Sequence, residues 1–431
     1  MTFSFFLLYN VIRVPLFVLT GIAGFFNAKI RKTIRGRKGL FDQLEVALGP
    51  SPSARRIWVH MSSMGEFEQG LPLVAELLQR YPQCWIVISL FSPSAYKNLV
   101  HRQERTILTY LPFDSLRNVR RFIDLVQPAL QVIIRHDIWP NYQHILQRRR
   151  IPSVLVDASI SDKRLSASRR FLPLYRQVYA TFSAICAVSE VHRQRLLPIY
   201  PHEENIHVCG DTRYDRVHAR ALDTKKIDWL LKSGHFVREK CFIAGSCWPV
   251  DEKTFAPAVL EALRRFADFT AVIAPHEIDA EHLECIEQLL AAGPVVRLST
   301  LAQSSIDHVR VLLIDSFGLL ANLYALGGIA YIGGGFGVGV HSVLEPAAHG
   351  TAVSYGPNHL NSPEAREMTT QAIGVPIVNE EEFRHFLFDM LENPARLAER
   401  GQRSKEYVMR NIGASQRTAD VLRTFIDSEE L

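Results

Sequence analysis

The sequence predicts an α/β protein built on two parallel, doubly wound sheets. Short apolar runs typical of buried strands alternate with helical patterns along most of the 431 residues, and this alternation favours parallel sheets. It occurs in two series, beginning at Ile57–His60 and at Cys241–Ala244, with the charged stretch Lys225–Lys240 between them. A chain of this length has room for two to three domains of about 150 residues. We therefore expect two similar domains, over residues 39–220 and 221–431.

The composition is typical of a folded protein with a cytosolic body. Hydrophobic residues make up 47% and charged residues 22% of the chain, which indicates a large core. The net charge of +5 is mild, and we expect no nucleic-acid partner. The six cysteines are scattered without a C-x-x-C pair, which favours reduced thiols over a disulfide framework or a zinc site. No cluster of carboxylates or histidines demands a metal.

The N-terminal segment, residues 1–38, is predicted to hold the protein on a membrane. Phe3–Phe26 is apolar except for Arg13 and a few polar residues, and as a helix it would reach about 36 Å, enough to cross a bilayer core of roughly 30 Å. Arg13 and Pro15 weaken a spanning helix, so a shallow insertion into one face of the membrane stays open. The other alternative is a buried core helix followed by a solvated basic linker.

A basic cluster follows this segment directly. Its charge suits anionic lipid headgroups and is expected to keep the rest of the chain on the cytoplasmic side. A cleaved signal peptide is a weaker interpretation, since no basic residue precedes the apolar run and no A-x-A site follows it. The cluster consists of Lys29, Arg31, Lys32, Arg35, Arg37 and Lys38.

In the first domain, charged side chains follow the ends of predicted strands. Glu66 lies between the strand Ile57–His60 and a helix, at the kind of position where ligands of parallel sheets gather. A carboxylate there can act as a general base, or it can simply complement the helix dipole. Arg213 follows the short strand Ile206–Cys209, where it can meet an anionic ligand or form a surface ion pair with a neighbouring aspartate.

The second domain carries a glycine-rich loop after the apolar run Gly327–Ile332. A strand, a glycine loop and a helix start can together hold phosphate, because glycine lets the backbone approach an anion and unpaired N–H groups point at it. A tight turn in an α/β domain is the alternative. Ser342 is predicted to cap the following helix, and Glu345 to lie in its first turn.

A histidine follows another predicted strand of this domain, Thr270–Ile273. At the end of that strand His276 can bind phosphate or serve a structural role. Its spacing from His282 does not fit the H-E-x-x-H pattern of zinc proteases, and GSCWP is not the G-x-S-x-G elbow of serine hydrolases. The last stretch, Pro394–Ile426, is predicted to be helical and able to pack back across both halves.

Several motifs together resemble one enzyme family. The chain contains, after its apolar N-terminus and in this order, WVHMSSMGE, DIWPN, GDTRYD, IAPHE, DSFGLL and HSVLEPAAHG. This ordered set covers nearly the whole chain and resembles the 3-deoxy-D-manno-octulosonic acid (Kdo) transferases, which build the inner core of lipopolysaccharide. Two α/β domains with a nucleotide loop in the second are also similar to the GT-B glycosyltransferase architecture, in which two Rossmann-like domains enclose a cleft.

The resemblance implies transfer of Kdo from CMP-Kdo to a lipid A precursor, by an inverting single displacement at the cytoplasmic face of the inner membrane. CMP-Kdo would be a donor substrate, so no cofactor is implied, and membrane lipids would be partners. Glu66 falls on the family's catalytic base, and Arg213 falls where the family usually has a lysine that stabilises the transition state. The segments that match the family's CMP-binding sites contain Pro275, His276, Phe317, Gly318, Leu319, Ser342, Val343, Leu344 and Glu345.

Besides Arg213, the chain departs from the family's pattern at three further places. The family often has Glu-x-Glu ahead of Leu-Trp-Pro, whereas the matching residues here are Arg135 and Asp137. Asp137 is therefore a further candidate for the catalytic set. Leu319 replaces a frequent glutamate and Ser342 a frequent asparagine, so one hydrogen bond to the nucleotide would be lost or supplied differently.

Two other functions fit the same residues. Another membrane-associated GT-B enzyme would use a UDP-sugar, as a lipid-linked sugar transferase or an epimerase, although the apolar N-terminus argues against a soluble epimerase. A catalytically inactive scaffold would bind nucleotide or lipid, and the presence of Glu66 argues against it.

Overall fold

The chain folds into two compact units. Unit 1 consists of Met1–Arg216 together with Gly413–Leu431, and unit 2 of Val217–Ile412. The sequence puts its domain boundary after residue 220, whereas the chain passes from unit 1 to unit 2 after Arg216 and returns at Gly413. The computed structural model describes residues 3–49, 54–93, 96, 104–161, 166, 171–291, 295–301 and 303–427.

Unit 1 contains a seven-stranded parallel sheet with the strand order β3-β2-β1-β4-β5-β6-β7. Because all strands are parallel, their carboxyl ends meet at one edge, called here the carboxyl edge of unit 1. The strands are β1 (Arg56–Met61), β2 (Trp85–Leu90), β3 (Thr106–Tyr110), β4 (Pro128–Ile134), β5 (Ser153–Ala158), β6 (Ala184–Ala187) and β7 (Ile206–Val208).

The central strand β1 shows why the sheet is covered on both faces. All six of its residues are buried, as expected of a strand with helices on either side. Val59 joins a core that includes Leu73 of helix α4, whereas its neighbour Trp58 joins a second core with Phe122. The helices of unit 1 are α1 (Phe3–Phe26), α2 (Ala28–Arg35), α3 (Leu40–Leu48), α4 (Met64–Arg80), Leu116–Val126, Pro140–Arg148, Leu172–Tyr179, Glu190–Leu196, Thr212–Leu222, which leads into unit 2, and Ala414–Ile426.

Unit 2 has its own seven-stranded parallel sheet, with the order β10-β11-β9-β8-β12-β13-β14. The predicted α/β class with two parallel sheets is therefore confirmed. The strands are β8 (Cys241–Cys247), β9 (Thr270–Pro275), β10 (Val295–Arg297), β11 (Val311–Leu313), β12 (Ile329–Ile332), β13 (Ala352–Tyr355) and β14 (Val375–Pro376). The helices are Asp228–Lys232, Pro249–Arg265, Ala280–Leu289, Leu320–Leu323, Leu344–Ala348, Pro363–Thr370, Glu380–Glu392 and Pro394–Met409.

The C-terminal stretch Pro394–Ile426, which the sequence predicts as one helical segment, forms two helices. It is divided into Pro394–Met409 of unit 2 and Ala414–Ile426 of unit 1, with Gly413 between them in the left-handed conformation at φ 88°. Glycine adopts that conformation at little cost, and this allows the chain to turn. Asp215 fixes the turn, accepting hydrogen bonds from Gly413 N and Ser415 N, each at 2.6 Å.

The N-terminal helix α1 has 24 residues and continues through Pro15. Its segment Phe5–Phe26 is long and apolar enough to cross a membrane, judged by length and composition alone. α2 begins after Asn27, whose side-chain oxygen accepts hydrogen bonds from the backbone N–H groups of Lys29 and Ile30. The chain therefore turns sharply between the apolar helix and the basic residues that follow it.

Candidate active site

Glu66 lies at the start of α4, at the carboxyl edge of unit 1. Ser63 caps this helix, its Oγ accepting a hydrogen bond from Glu66 N at 3.3 Å. The Glu66 carboxylate turns back and accepts two hydrogen bonds on Oε2, from Ser62 N at 2.5 Å and from Ser62 Oγ at 2.6 Å. Among the residues that the structure describes, no donor is hydrogen-bonded to Oε1. One oxygen thus orients the carboxylate, and the other can serve a ligand.

Arg213 is paired with Asp211 at the start of the helix Thr212–Leu222. Its Nε lies 3.1 and 3.0 Å from the two carboxylate oxygens, and its Nη2 lies 2.6 Å from Oδ2. The charge of Arg213 and its hydrogen bonds hold the pKa of Asp211 below its ordinary value, although burial alone would raise it. The Arg213 side chain remains 36% exposed. Pairing with a neighbouring aspartate, one of the two sequence-based alternatives, is therefore present.

Glu66 and Arg213 belong to elements that are linked to each other. Gln69, one helical turn after Glu66, donates from Nε2 to Asp211 Oδ1 at 3.2 Å. Gln69 also supplies the backbone oxygen that lies 2.9 Å from the Thr212 hydroxyl. Within unit 1, two of the predicted catalytic residues are thus held at the same part of the carboxyl edge.

Asp157, a buried carboxylate near the end of β5, stabilises the start of the helix Thr212–Leu222. Thr212 N donates to its Oδ1 at 3.0 Å, and the Thr212 hydroxyl lies 2.5 Å from its Oδ2. Burial and the charge of Asp211 raise the pKa of Asp157 to about 7. Asp157 and Arg135 have left-handed φ values of 53° and 69°, and such backbone conformations cluster at functional sites.

Asp137, the third predicted catalytic residue, is engaged by two donors. His60 Nε2 lies 2.9 Å and Trp139 Nε1 lies 3.0 Å from Asp137 Oδ2. Burial alone would raise the pKa of Asp137, but hydrogen bonds from His60 and Trp139 and the charge of Arg37 hold it below its ordinary value. His60 of β1 and Trp139 therefore orient the Asp137 carboxylate and keep it ionised.

The glycine loop of unit 2 follows β12 at the carboxyl edge of that sheet. Asp251 fixes it: Oδ2 accepts hydrogen bonds from Gly334 N and Trp248 N, both at 2.9 Å, and Oδ1 accepts one from Tyr331 OH at 2.8 Å. Gly334 has φ 88°, and a Cβ there would lie 2.4 Å from Gly339 O. The loop is thus a fixed backbone structure that depends on its glycines.

Three rings meet beside this loop, and we call them the ring cluster: Trp248, His276 and His341. His276 stacks on each of the other two, with 4.5 Å between ring centroids in both pairs. Trp248 Nε1 donates a hydrogen bond to His341 Nε2 at 3.2 Å, so this nitrogen carries no proton. Burial, and then the charge of His276, lower the pKa of His341. The exposed His276, which follows Pro275 at the end of β9, is therefore stacked on a neutral His341.

Glu345 lies in the first turn of the helix Leu344–Ala348, and its Oε1 accepts a hydrogen bond from Arg220 Nη1 at 3.2 Å. The prediction that Ser342 caps this helix is wrong. Val343 occupies the cap position without a side-chain hydrogen bond, and Ser342 lies exposed before it. Val343 and Leu344 are buried and belong to the core.

The remaining predicted nucleotide segment is an exposed loop. Phe317 is 75% exposed, and Gly318 has a left-handed φ of 85°. Leu319 precedes the helix Leu320–Leu323. Lys226 Nζ lies 3.4 Å from Gly318 O, which gives this loop a cationic neighbour.

Comparison with known proteins shows similarity to one group of enzymes. A profile described as 3-deoxy-D-manno-octulosonic-acid transferase (Kdo transferase) matches residues 32–216. A Kdo transferase of Haemophilus influenzae is 26% identical over 416 residues, which are 94% of this chain and 94% of the relative. One of Aquifex aeolicus is 25% identical over 348 residues, which are 78% of this chain and 86% of the relative. The chain is therefore similar to Kdo transferases, along residues 32–216 by the profile and along most of its length by these relatives.

These relatives are glycosyltransferases, which agrees with the class of enzyme that the sequence predicts. Among solved structures, a UDP-GlcNAc 2-epimerase of Neisseria meningitidis is similar, with a TM-score of 0.63 and 14% identity, over 86% of this chain and 100% of that one. At this identity the likeness concerns the fold alone, and it confirms the predicted GT-B class.

Sequence reasoning missed several residues that shape the candidate site. Trp248 lies in GSCWP, a segment whose pattern points to no ligand. His341 lies beside Ser342 in HSVLEPAAHG, where the motif itself was the available signal. Asp157 and Asp251 follow strands, but nothing in their spacing shows that one supports Thr212 and the other the glycine loop.

Proposed function

We propose that this chain transfers Kdo from CMP-Kdo to a hydroxyl group of a lipid A precursor, by an inverting single displacement. The observation that carries the proposal is the setting of Glu66, a carboxylate oriented by Ser62 within the segment that matches the family's catalytic base. The relatives are Kdo transferases, which supports the choice of donor.

In this reaction the acceptor hydroxyl attacks the anomeric carbon of Kdo. The bond from that carbon to the phosphate oxygen of CMP breaks, and the hydroxyl proton passes to Glu66. Oε1 is the oxygen suited to take it, because Ser62 already donates two hydrogen bonds to Oε2. A positioned general base contributes typically 10²–10⁴-fold in rate.

Arg213 is the proposed stabiliser of the negative charge that develops on the leaving phosphate. Asp211 holds its guanidinium in one orientation and partly balances its charge in the ground state. Because Arg213 is already paired with Asp211, its attraction to the substrate grows most when new negative charge develops on the phosphate. Arg213 would therefore stabilise the transition state more than it strengthens ground-state binding. Asp137, oriented by His60, is proposed to complete the charged set at this edge.

Unit 2 is proposed to bind the nucleotide part of the donor. The fixed glycine loop offers backbone groups to a phosphate, and the exposed His276 on the ring cluster offers a side chain. Glu345, held by Arg220, can accept hydrogen bonds from ribose hydroxyls. The other residues of the predicted nucleotide set, which would shape the surroundings, are Pro275, Phe317, Gly318, Leu319, Ser342, Val343 and Leu344.

The cytoplasmic face of the inner membrane is the proposed location. The apolar segment Phe5–Phe26 and the basic residues after it support membrane association, because the first suits hydrocarbon and the second suits anionic headgroups. A lipid acceptor would be presented at that surface.

The direct test is a CMP-release assay with the purified full chain, CMP-Kdo and a tetra-acylated lipid A precursor. We expect CMP release that depends on the acceptor, together with a lipid product whose mass has risen by one or more Kdo units. UDP-GlcNAc in place of CMP-Kdo is the matched control. Release of UDP but not CMP would instead favour a UDP-sugar enzyme, and binding of nucleotide without any release would favour an inactive scaffold.

A further inference from the structure

One stripe of α1 is attached to the body of unit 1 by buried polar contacts. Tyr9 OH donates to Asp114 Oδ2 at 2.6 Å. The side-chain amides of Asn10 and Asn141 pair reciprocally, with N to O distances of 2.8 and 3.0 Å. Asp114 and Asn141 are 5% and 0% exposed, so their partners on α1 complete a buried polar cluster. We call this set of four residues the clasp.

Aromatic contacts extend the same stripe on both sides of the clasp. Phe6 stacks on His144 with ring centroids 3.9 Å apart, and Phe17 meets Phe113 edge-on at 5.2 Å. Positions 6, 9, 10 and 17 are spaced by three, one and seven residues, which puts them on one face of a helix. Nearly half of α1 is therefore packed against unit 1 along a single face.

The far end of α1 is held as well, by α2. Arg31 donates from Nε to Gly24 O at 3.0 Å and from Nη2 to Phe25 O at 2.6 Å. A side chain at Gly24 would lie 3.1 Å from Ile34, so the two helices touch there. After α2, Arg37 attaches the chain to the sheet-bearing part of unit 1 by donating a hydrogen bond to Leu111 O at 2.7 Å. The helix is thus attached at its beginning, middle and end.

The remaining faces of α1 are apolar and exposed along its whole length. Eleven large side chains lie on these faces, and each is about half or more exposed: Leu7, Leu8, Val11, Ile12, Val14, Leu16, Val18, Leu19, Ile22, Phe25 and Phe26. So large an apolar surface on a soluble body marks an interaction site. The basic residues of α2 border it, which complements the charge of anionic lipid headgroups.

From these contacts we propose that α1 lies flat in one leaflet of an anionic membrane as a monotopic helix that belongs to the wall of unit 1. The inference deepens the membrane association given under Proposed function and rests on it. From Phe6 to Phe17 the helix rises about 17 Å, and that part is attached to unit 1. Val18–Phe26 adds only roughly 14 Å, less than half of a hydrocarbon core of about 30 Å.

Spanning would also require the clasp to open. Asp114 would then lose the hydrogen bond from Tyr9 OH. Asn141 would lose both hydrogen bonds to Asn10, while the bonds between Asp114 and Asn141 themselves would remain. The Asn141 Oδ1 acceptor would be left without its Asn10 donor, and an unpaired buried polar group is costly.

Asn141 lies in the first turn of Pro140–Arg148, shortly after Asp137 and Trp139 in the chain. The clasp would therefore bring the membrane to the carboxyl edge of unit 1. A lipid acceptor would reach that edge without leaving its leaflet.

The first test is the side of the membrane on which the N-terminus lies. The full chain, with a different protease-cleavable tag at each end, is reconstituted into sealed vesicles of phosphatidylethanolamine and phosphatidylglycerol. Protease added outside should remove both tags from the same fraction of molecules. If the N-terminal tag is protected wherever the C-terminal tag is cleaved, the helix spans the bilayer and the proposal is wrong.

The second test is a cross-link made in the same vesicles. Phe6→Cys combined with His144→Cys should be joined by a short bismaleimide reagent, because the side chains that they replace are in contact. Leu8→Cys with His144→Cys is the matched control, since position 8 faces away from position 6, and it should stay unlinked. Equal cross-linking of both pairs, or of neither, would show that the stripe is not docked in the membrane.

Failure of this inference can be told apart from failure of the proposed function. CMP release is measured on the same vesicles, and it reports the transfer reaction whatever the topology of α1. A chain that does not sediment with the vesicles overturns both the flat helix and the membrane association, while leaving the assay of transfer to decide the chemistry.

Discussion

At the carboxyl edge of unit 1 the side chains are charged and paired, whereas the same edge of unit 2 is made of glycine backbone and stacked rings. In unit 1, Asp211 holds Arg213 and Ser62 holds Glu66. In unit 2, the buried Asp251 holds the glycine loop, and Trp248 holds His341 in its neutral form. Two sheets of one general plan thus carry different kinds of chemistry.

The difference between the two edges suggests that each unit serves a different step, one the chemistry and the other nucleotide binding. Charged groups that are oriented but balanced are suited to moving a proton and meeting new charge. A rigid loop without bulky side chains is suited to binding a ligand whose shape does not change. We therefore expect substitutions in unit 1 to act mainly on kcat, and those in unit 2 mainly on nucleotide affinity.

Glu66→Gln should give the largest effect and is the strongest test of this division. Glutamine keeps the size of the side chain and can still accept hydrogen bonds from Ser62, but it cannot take the proton. We expect a folded chain that binds CMP and loses at least about a hundredfold in kcat.

The matched control for this variant is Glu76→Gln on the same helix. Glu76 pairs with Arg80 at 2.6 Å, a partly buried i,i+4 pair on the helix, and helix pairs of this spacing are worth about 0.3–0.5 kcal/mol, so its loss should leave turnover unchanged. Turnover of Glu66→Gln at the parent rate would pass the role of base to another carboxylate, Asp137 first.

Arg213→Ala should come next, with a loss of about a hundredfold in kcat/KM carried mostly by kcat. Arg213→Lys, which keeps the charge but not the two-pronged pairing, should recover part of it. Steady-state kinetics measure both. An increase in KM alone would assign Arg213 to ordinary substrate binding and weaken the contrast between the two edges.

The pH dependence of stability sharpens the comparison through Asp157. Its pKa of about 7 in the folded chain lies above the ordinary value of 3.8, so its contribution to stability is present below pH 4 and is lost as the pH rises through 7. Asp157→Asn does not titrate and can still accept a hydrogen bond from Thr212. Relative to this variant, the parent should lose on the order of 2–4 kcal/mol between those limits, at about 1.4 kcal/mol per pKa unit.

Thermal unfolding of the full chain in detergent at several pH values measures this difference. A constant gap in melting temperature between parent and variant, from pH 4 to 8, would contradict the raised pKa. The test concerns unit 1 alone, because Asp157 and Thr212 both belong to it.

Glu345→Ala should weaken CMP binding by about 1–3 kcal/mol, the scale expected for hydrogen bonds to a charged group. Calorimetry with CMP measures it directly. Because Arg220 pairs with Glu345, Arg220→Ala is the companion variant. An equal loss in both would mean that Glu345 acts by holding Arg220, and no loss in either would remove Glu345 from the nucleotide site.

Trp248→Phe should have the smallest effect. Phenylalanine keeps a ring under His276 but removes the N–H group that donates to His341. We expect CMP affinity to fall by about 0.5–1.5 kcal/mol, the usual net worth of one hydrogen bond. Trp229→Phe, a tryptophan of unit 2 outside the ring cluster, should leave affinity unchanged.

Much of the fold follows from local sequence patterns. The strand Ile57–His60 is predicted because it begins with the apolar run Ile57–Val59, and it is found as Arg56–Met61. The helix cap at Ser342 is predicted from residue type and is wrong, because the helix begins two residues later with a buried valine in the cap position.

The site was less predictable because its contacts join residues far apart in the chain. The pairing of His60 with Asp137 joins residues 77 positions apart, and that of Trp248 with His341 joins residues 93 apart. No local spacing encodes such pairs; they depend on which strands become neighbours in the sheet. The clasp on α1 is missed for the same reason, since Tyr9 and Asp114 are 105 positions apart.

The path of the chain at Gly413 has a consequence for the order in which the protein is made. Unit 2 is inserted into unit 1, and the C-terminal helix contributes Ala419, Leu422 and Ile426 to a core of unit 1. A ribosome therefore releases all of unit 2 before it has supplied the residues that complete the first core. Unit 2 can fold during synthesis, whereas unit 1 must wait, with an open core beside α4, until the final helix emerges.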